Sequence, residues 1–167
     1  IHNDNPAEEM HKLLLGQNYG YPFCWREYEL LGQGMGRGTA WAWPTTMDNV
    51  TDDMCRKDYD APEFVLPAHS APLGLTFYQF PETPCEGVKR FPKQMDGWAF
   101  IAYHGSWNSE IPTGYKVVYV ELQDGKVVGT EAIDLLAHQG SDSAAWPSGF
   151  RPVDVSFDDC GRLLVTS

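Results

Sequence analysis

The feature that most constrains the fold is a succession of short, β-prone apolar runs separated by turns rich in glycine and proline. The first four runs lie at residues 73–78, 98–103, 115–122 and 126–130. Valine, leucine, tyrosine and phenylalanine dominate them, and Asp124-Gly125 between the last two is a hairpin signal. The pattern predicts four antiparallel strands in sequence.

A second round of strands begins near the end of the chain. Residues 150–157 and 162–167 flank a turn and match the first strand pair in type. Polar motifs precede both rounds, so they would recur at one edge of successive four-stranded units, as in a β-propeller. We expect an all-β fold, a partial β-propeller of about two blades with long irregular loops. Since this cannot close a ring, residues 1–167 are predicted to be part of one larger propeller domain, incomplete at both ends.

The first third of the chain is less regular. Residues 5–15 suggest a short helix with Asn5 as N-cap and Pro6 in its first turn, ended by Gly16. Residues 18–25 mix aromatic residues with glycine and proline, which predicts a fixed loop with a short extended piece. Residues 31–62 show little periodicity of either kind, and we expect a long surface loop there.

Charge and hydropathy exclude some partners. The formal net charge is -11, so we expect neither nucleic acid nor an anionic membrane surface as a partner. No apolar run approaches the roughly 18 residues that a membrane span needs. The first residues are neither basic nor apolar enough for a signal peptide, and this start is predicted to be internal to a longer protein.

Four widely spaced cysteines indicate disulfides rather than a zinc site, because no Cys-x-x-Cys pair occurs and the histidines lack metal-binding spacing. Three connectivities are possible, and we favour one with Cys24 bonded to Cys55, which would close a loop of about 30 residues. Asn49-Val50-Thr51 is an N-glycosylation sequon. Together these features predict a secreted, extracellular glycoprotein.

Polar and aromatic side chains are crowded between the second and third runs, in His104-Gly105-Ser106-Trp107-Asn108. His69 and Arg151 precede the first strand of each round. Each has a structural alternative: a packed aromatic turn for residues 104–108, a strand-bridging role for His69, and a surface ion pair of Arg151 with Asp154.

Several motifs together resemble the glucose/sorbosone dehydrogenase family of pyrroloquinoline quinone (PQQ) enzymes, and most closely its secreted fungal pyranose dehydrogenase branch. They are Asn18-Tyr19-Gly20-Tyr21-Pro22, His69-Ser70-Ala71-Pro72-Leu73-Gly74, His104 to Asn108 with Pro112-Thr113-Gly114-Tyr115-Lys116, and Arg151-Pro152-Val153. The resemblance covers nearly the whole chain. The two histidine motifs, in this order and spacing, are its most specific part.

The resemblance implies the C-terminal portion of a six-bladed catalytic propeller that holds PQQ and calcium and oxidises an aldose or pyranose at its anomeric carbon, with hydride transfer to PQQ. Cofactor contacts are expected from His69, His104, Trp107, Asn108 and Arg151, and calcium ligands from the main chain at Asn3 and Asp4. The histidine base of the family lies upstream of Ile1, so the chain alone is expected to be inactive.

The implied partners are a sugar substrate and an external electron acceptor such as a b-type cytochrome domain. Two other functions remain open at this point. One is a catalytically silent propeller whose Trp107 and neighbouring aromatic residues hold a carbohydrate, and the other is a purely structural propeller segment.

Overall fold

The computed structural model describes residues 3–44, 49–83, 85–137 and 149–167. The described residues are nearly all β-structure and loop, as the sequence predicted at this coarse level, with one short α-helix. The chain divides into two compact units: Ile1–His69 with Asn108–Glu110, and Ser70–Trp107 with Ile111–Ser167. No helix among the described residues has the length and apolar character needed to cross a membrane.

The first unit contains two small antiparallel sheets. Strand β1 (Glu8–Met10) pairs with β4 (Phe64–Leu66), and β2 (Cys24–Arg26) pairs with β3 (Ala40–Ala42). Helix α1 (Asp52–Lys57) begins at Thr51, whose side chain accepts a hydrogen bond from the Met54 N–H at 3.3 Å. The predicted Cys24–Cys55 disulfide is confirmed, and it joins β2 to α1.

The second unit is built on a four-stranded antiparallel sheet in the order β10-β7-β6-β5. Its strands are β5 (Pro72–Phe77), β6 (Ala99–Tyr103), β7 (Lys116–Val120) and β10 (Ile133–Ala137). A 3-10 helix at Lys93–Met95 precedes β6. Two hairpins complete the unit, β8 (Leu122–Gln123) with β9 (Lys126–Val127) and β11 (Asp154–Phe157) with β12 (Leu163–Thr166).

Aromatic packing fills the core of this unit. Tyr78, Phe100 and Phe157 meet at ring-centroid distances of 4.8 to 6.4 Å, and Phe91 completes the cluster. Strand β6 is buried along its whole length, which explains why its sequence is an uninterrupted apolar run. A second disulfide, Cys85–Cys160, closes a separation of 75 residues in the same unit.

The expected helix at residues 5–15 is wrong. Residues Glu8–Met10 form β1, because pairing with β4 outweighs a weak local helix preference. The Asn5 side chain does not cap a helix: it accepts hydrogen bonds from the backbone N–H groups of Tyr28 and Glu29 and donates to the Glu29 carbonyl.

Two further expectations need correction. The fourth strand of the sheet is β10, because residues Lys126–Val127 pair only with the short β8 and leave the free edge of β7 to Ile133–Ala137. Residues 31–62 are not one surface loop, since they contain β3, α1 and the fully buried Cys55.

Candidate functional site

The two histidine motifs of the sequence meet through their backbones in the second unit. The His104 N–H donates to the Ala71 carbonyl at 2.9 Å, and the Gly105 N–H donates to the Ser70 carbonyl at 3.0 Å. These bonds continue the pairing of β5 with β6 beyond the strand ends. The position of the loop after β6 is therefore fixed by the segment that leads into β5.

The loop between β6 and β7 is closed by three polar groups. The Ser106 N–H donates to the Thr113 carbonyl at 2.8 Å, and the Ser106 hydroxyl accepts from the Thr113 N–H at 3.0 Å. The buried Tyr115 hydroxyl donates to the Ser106 carbonyl. These bonds join the two ends of the loop, and they fix the positions of Ser106, Thr113 and Tyr115.

Arg151 reaches this loop from the segment before β11. Its Nε donates to His104 Nε2 at 3.2 Å, and its Nη2 donates to the Gly105 carbonyl at 2.8 Å. The guanidinium carbon also lies 5.3 Å from the centroid of the Tyr115 ring, within cation–π range. Nη1 makes no hydrogen bond to the described residues, so this nitrogen retains donors for a ligand.

The same contacts define the tautomer of His104. Arg151 always donates, so His104 Nε2 must carry a lone pair. His104 Nδ1 lies 3.2 Å from the Pro152 carbonyl, which requires a proton on Nδ1. His104 is therefore a neutral positioning group, held between the Arg151 side chain and the Pro152 backbone.

The structure places the other predicted cofactor contacts as follows. Trp107 is the residue after Ser106 in this loop. It has 85% of its surface exposed, which leaves its ring face accessible. Asn108 is exposed and belongs to the first unit. His69 ends the main segment of the first unit, is half-buried, and has a positive φ of 62°.

Asn3 and Asp4, the predicted calcium ligands, lie in the first unit. The Asn3 side chain donates from Nδ2 to Glu110 Oε2 at 3.2 Å, and its Oδ1 accepts from the Glu110 N–H at 3.1 Å. The Asp4 residue is exposed. Within the part of the chain that the structure describes, no three His, Cys, Asp or Glu side chains form a group that could hold a metal ion. Main-chain ligation by Asn3 and Asp4 stays a prediction.

Two contributors were not singled out from the sequence. Tyr115 lies in a quoted motif, and the structure adds its contact with Arg151 and its unusual φ of 59°. The Gly105 carbonyl accepts from Arg151, and a backbone acceptor carries no sequence signal of its own. The structural alternative for Arg151 was a surface ion pair with Asp154. In its place, Arg151 contacts His104 and Gly105.

Comparison with known proteins finds relatives of this chain. A PQQ-dependent pyranose dehydrogenase of Coprinopsis cinerea is 32% identical over 131 residues, 74% of this chain and 16% of that protein. The calcium structure of a Trichoderma reesei protein of carbohydrate-active enzyme family AA12 has a TM-score of 0.82 at 27% identity, covering 100% of this chain and 42% of that one.

A second solved structure is the holo form of the PQQ domain of Coprinopsis cinerea pyranose dehydrogenase. Its TM-score is 0.76 at 25% identity, covering 100% of this chain and 43% of that one. The chain therefore spans less than half the length of these relatives. A family model described as TrAA12-like matches residues 1–167. The predicted kinship with PQQ-dependent sugar dehydrogenases is thus confirmed, and the chain belongs to the TrAA12-like family.

Proposed function

We propose that this chain forms part of a quinoprotein sugar dehydrogenase that oxidises an aldose or pyranose at the anomeric carbon. Membership of the TrAA12-like family supports the reaction class, since the relatives above are PQQ-dependent dehydrogenases by name. When bound, PQQ would supply the quinone that accepts a hydride, and calcium would supply a Lewis acid beside it. The chain would contribute about two blades of a six-bladed propeller.

One observation carries the proposal for this chain's own residues: the fixed guanidinium of Arg151. PQQ is a tricarboxylate with an ortho-quinone, so a chain with a net charge of -11 needs local cations to hold it. Arg151 is fixed by His104 and Gly105 while its Nη1 retains donors. The donor set therefore fits a carboxylate or a quinone oxygen.

The remaining residues would bind and orient. Trp107, with 85% of its surface exposed, offers a ring face to a planar cofactor or a pyranose. His69 and Asn108 would donate hydrogen bonds to the cofactor from loop positions. We assign the removal of the anomeric hydroxyl proton to a histidine elsewhere in the full-length protein, so these residues would position the reactants without taking that proton.

The described side chains do not assemble a calcium site. Calcium takes about 6–8 oxygen ligands, whereas the Asn3 side chain is already paired with Glu110. In this proposal Asn3 and Asp4 give only main-chain oxygens, and other parts of the protein complete the site. The two disulfides fit a secreted protein, and we propose that its electrons pass to an external acceptor such as a b-type cytochrome domain.

Reconstitution of the full-length protein with PQQ and calcium tests the reaction class. Sugar-dependent reduction of an artificial dye, together with a change in cofactor absorbance, is the expected result. Neither signal with any of a panel of aldoses and pyranoses would leave a silent carbohydrate-binding or structural propeller as the better description.

The site assignment is tested by PQQ titration of variants of the full-length protein. Arg151→Ala and His69→Ala should each weaken PQQ binding by about tenfold or more, the loss of roughly one charge-assisted hydrogen bond. Arg162→Ala is the matched control, because Arg162 is an exposed arginine of the same unit that pairs with Asp158. Unchanged affinity in both site variants would make Arg151 and His69 structural residues.

A further inference from the structure

A second concave site lies entirely within the first unit. It is a cavity of about 390 Å³, a size within the usual range of about 300–1,000 Å³ for small-molecule sites. Aromatic rings form much of its lining: Tyr19, Tyr21, Trp25 and Trp43. It shares no residue with the Arg151 cluster described above.

The aromatic wall follows from the alternation of the β2–β3 hairpin. Trp25 pairs directly with Trp41, and Trp43 lies two residues further along, so the three indoles project from one face. Trp41 is covered, because its Nε1 donates to Glu27 and the Arg56 guanidinium lies 4.7 Å above its ring. Trp25 and Trp43, with centroids 5.9 Å apart at an angle of 42°, remain to line the cavity.

Tyr21 adds an exposed ring to this wall. Its residue is 88% exposed, and its hydroxyl makes no hydrogen bond to the described part of the chain. An isolated exposed tyrosine is ordinary on a protein surface. Here the ring borders a cavity that three other aromatic residues already line, which is the arrangement expected of a binding site.

The polar groups of the cavity are a carboxylate and an imidazole. Glu9 Oε2 lies 2.9 Å from His11 Nε2 and 3.9 Å from Arg26 Nε, while Oε1 accepts no hydrogen bond from the described residues. The His11 ring in turn packs on Tyr19 at a centroid distance of 4.5 Å. Both side chains are largely buried, with 22% and 16% exposure, so their positions are held by packing.

We propose that this cavity is a carbohydrate-binding site that takes a neutral, gluco-configured pyranose unit. Equatorial hydroxyl groups leave the two faces of such a ring apolar, and these faces suit flat aromatic side chains. The ring edge would reach the Glu9 carboxylate, which can accept hydrogen bonds from hydroxyl groups, while His11 Nε2 holds that carboxylate in place at 2.9 Å. This inference stands apart from the proposed redox function.

Charge favours a neutral ligand over the alternatives. Glu8 and Glu9 both line the cavity of a chain with net charge -11, which opposes an anion. A cation would suit aromatic rings, but Glu9 already has His11 and Arg26 as cationic or donor partners. Because these partners offset the charge of Glu9, the cavity attracts a cation less strongly than its two glutamates alone would.

The test uses the full-length protein prepared without PQQ and methyl β-cellobioside as the probe. The blocked reducing end prevents oxidation at the anomeric carbon, so binding is measured independently of catalysis. Saturation-transfer NMR should show transfer to the ring C–H protons, and a titration gives the Kd. Tyr21→Ala should weaken binding by about fivefold to tenfold, the loss of one aromatic contact, and Glu9→Gln should weaken it too.

Leu31→Ala is the control, because Leu31 is another exposed apolar residue of the same unit and lies outside the cavity lining. Its Kd should match that of the wild type, and near-ultraviolet circular dichroism should show all variants folded. Sugar that binds elsewhere on the protein would bind the Tyr21→Ala variant with unchanged affinity. Equal affinity in wild type and Tyr21→Ala would overturn the proposal, as would absence of transfer at high millimolar glucoside. Tyr21-dependent binding of tetramethylammonium without glucoside binding would identify a cation site instead.

Discussion

Gly105 has two roles in the loop after β6: its N–H binds Ser70 and its carbonyl binds Arg151. Its φ is 95°, and a Cβ at this position would lie 2.6 Å from atoms of the Tyr115 ring. Gly105→Ala should therefore add a steric overlap to the left-handed backbone strain. We expect a loss of more than about 3 kcal/mol in unfolding free energy, together with weaker PQQ binding.

Gly125→Ala separates these two effects. Gly125 also has a positive φ of 74°, but a Cβ there meets no atom within 4 Å. Its variant should lose only the strain of about 1–2 kcal/mol and keep its PQQ affinity. Chemical denaturation of the full-length protein and PQQ titration measure both quantities. Equal losses for the two variants would show that the Tyr115 ring moves aside at little cost.

Glu9 gives the first unit a defined pH dependence. Burial raises its pKa above 4.5, and the charges of His11 and Arg26 offset only part of this effect. Between the unfolded pKa and the raised folded pKa, the unfolded chain has released this proton while the folded chain still holds it. Stability is therefore complete below the unfolded pKa and falls as the pH rises through the folded pKa.

Glu9→Gln removes this titration and isolates it from the other carboxylates. The wild-type Tm minus the variant Tm should decrease as the pH rises from about 4 to 7. Thermal unfolding of the full-length protein at several pH values measures the difference. A difference that increases with pH would mean that His11 and Arg26 stabilise the ionised carboxylate by more than burial costs it.

At the level of elements, a buried carboxylate organises the connection from β2 to β3. Glu27 is 3% exposed and accepts hydrogen bonds from the Met35 N–H at 3.0 Å, the Gly36 N–H at 3.2 Å and Trp41 Nε1 at 3.1 Å. Glu27→Ala would leave three donors without this acceptor. Met35 and Gly36 are exposed, so water can satisfy their N–H groups, whereas Trp41 is half-buried. Since an unsatisfied buried group costs about 1–3 kcal/mol, the total loss should be about 1–3 kcal/mol.

Glu29→Ala is the matched control, because Glu29 is an exposed acid two residues away. Its side chain can be removed while its backbone bonds to Asn5 remain, so it should cost less than about 0.5 kcal/mol. Denaturant unfolding of the full-length protein compares the two. A small effect at Glu27 would show that water replaces the carboxylate as acceptor.

Strands could be predicted where an apolar run is long enough to bury both faces. This holds for β6 and for most of β7. The last pair, β11 with β12, is largely exposed and could be predicted instead from two β-prone runs that flank a turn. The local sequence pattern predicted the wrong element where tertiary pairing decides the structure. Strand β1 has a helix-like sequence, and β10 takes the place of β9 beside β7. Helix α1 has a capping threonine, acids first and bases last, but its six residues are too short for a periodic signal.

The sequence could predict which residues form the candidate site, but it could not predict the contacts between them. His104 and Arg151 were both selected, since polar residues preceded or followed the predicted strands. Their hydrogen bond joins residues 47 positions apart, and it depends on where the β6–β7 loop holds His104. The cavity at Tyr21 was missed, because residues 18–25 were interpreted as a fixed loop and the neighbouring Trp43 enters only through β2–β3 pairing.

At the level of the whole molecule, net charge and exposed apolar surface oppose each other. A net charge of -11 keeps copies of the chain apart at low ionic strength. The two edge strands of the four-stranded sheet nevertheless expose apolar side chains, Leu75 at 44% and Phe77 at 48% on β5, and Ile133 at 46% on β10. Exposed apolar edge strands promote association between copies.

Residues 1–167 expressed alone should therefore self-associate, and more strongly as salt screens the charge repulsion. Sedimentation velocity over a series of protein and salt concentrations measures this. Leu75→Glu with Ile133→Glu should restore a monomer, because both charges fall on the sheet edges. Leu15→Glu with Leu31→Glu adds the same charge at exposed leucines of the first unit and should not. A monodisperse wild-type monomer at high salt would show that these edges are not adhesive, and equal rescue by both double variants would assign the effect to net charge alone.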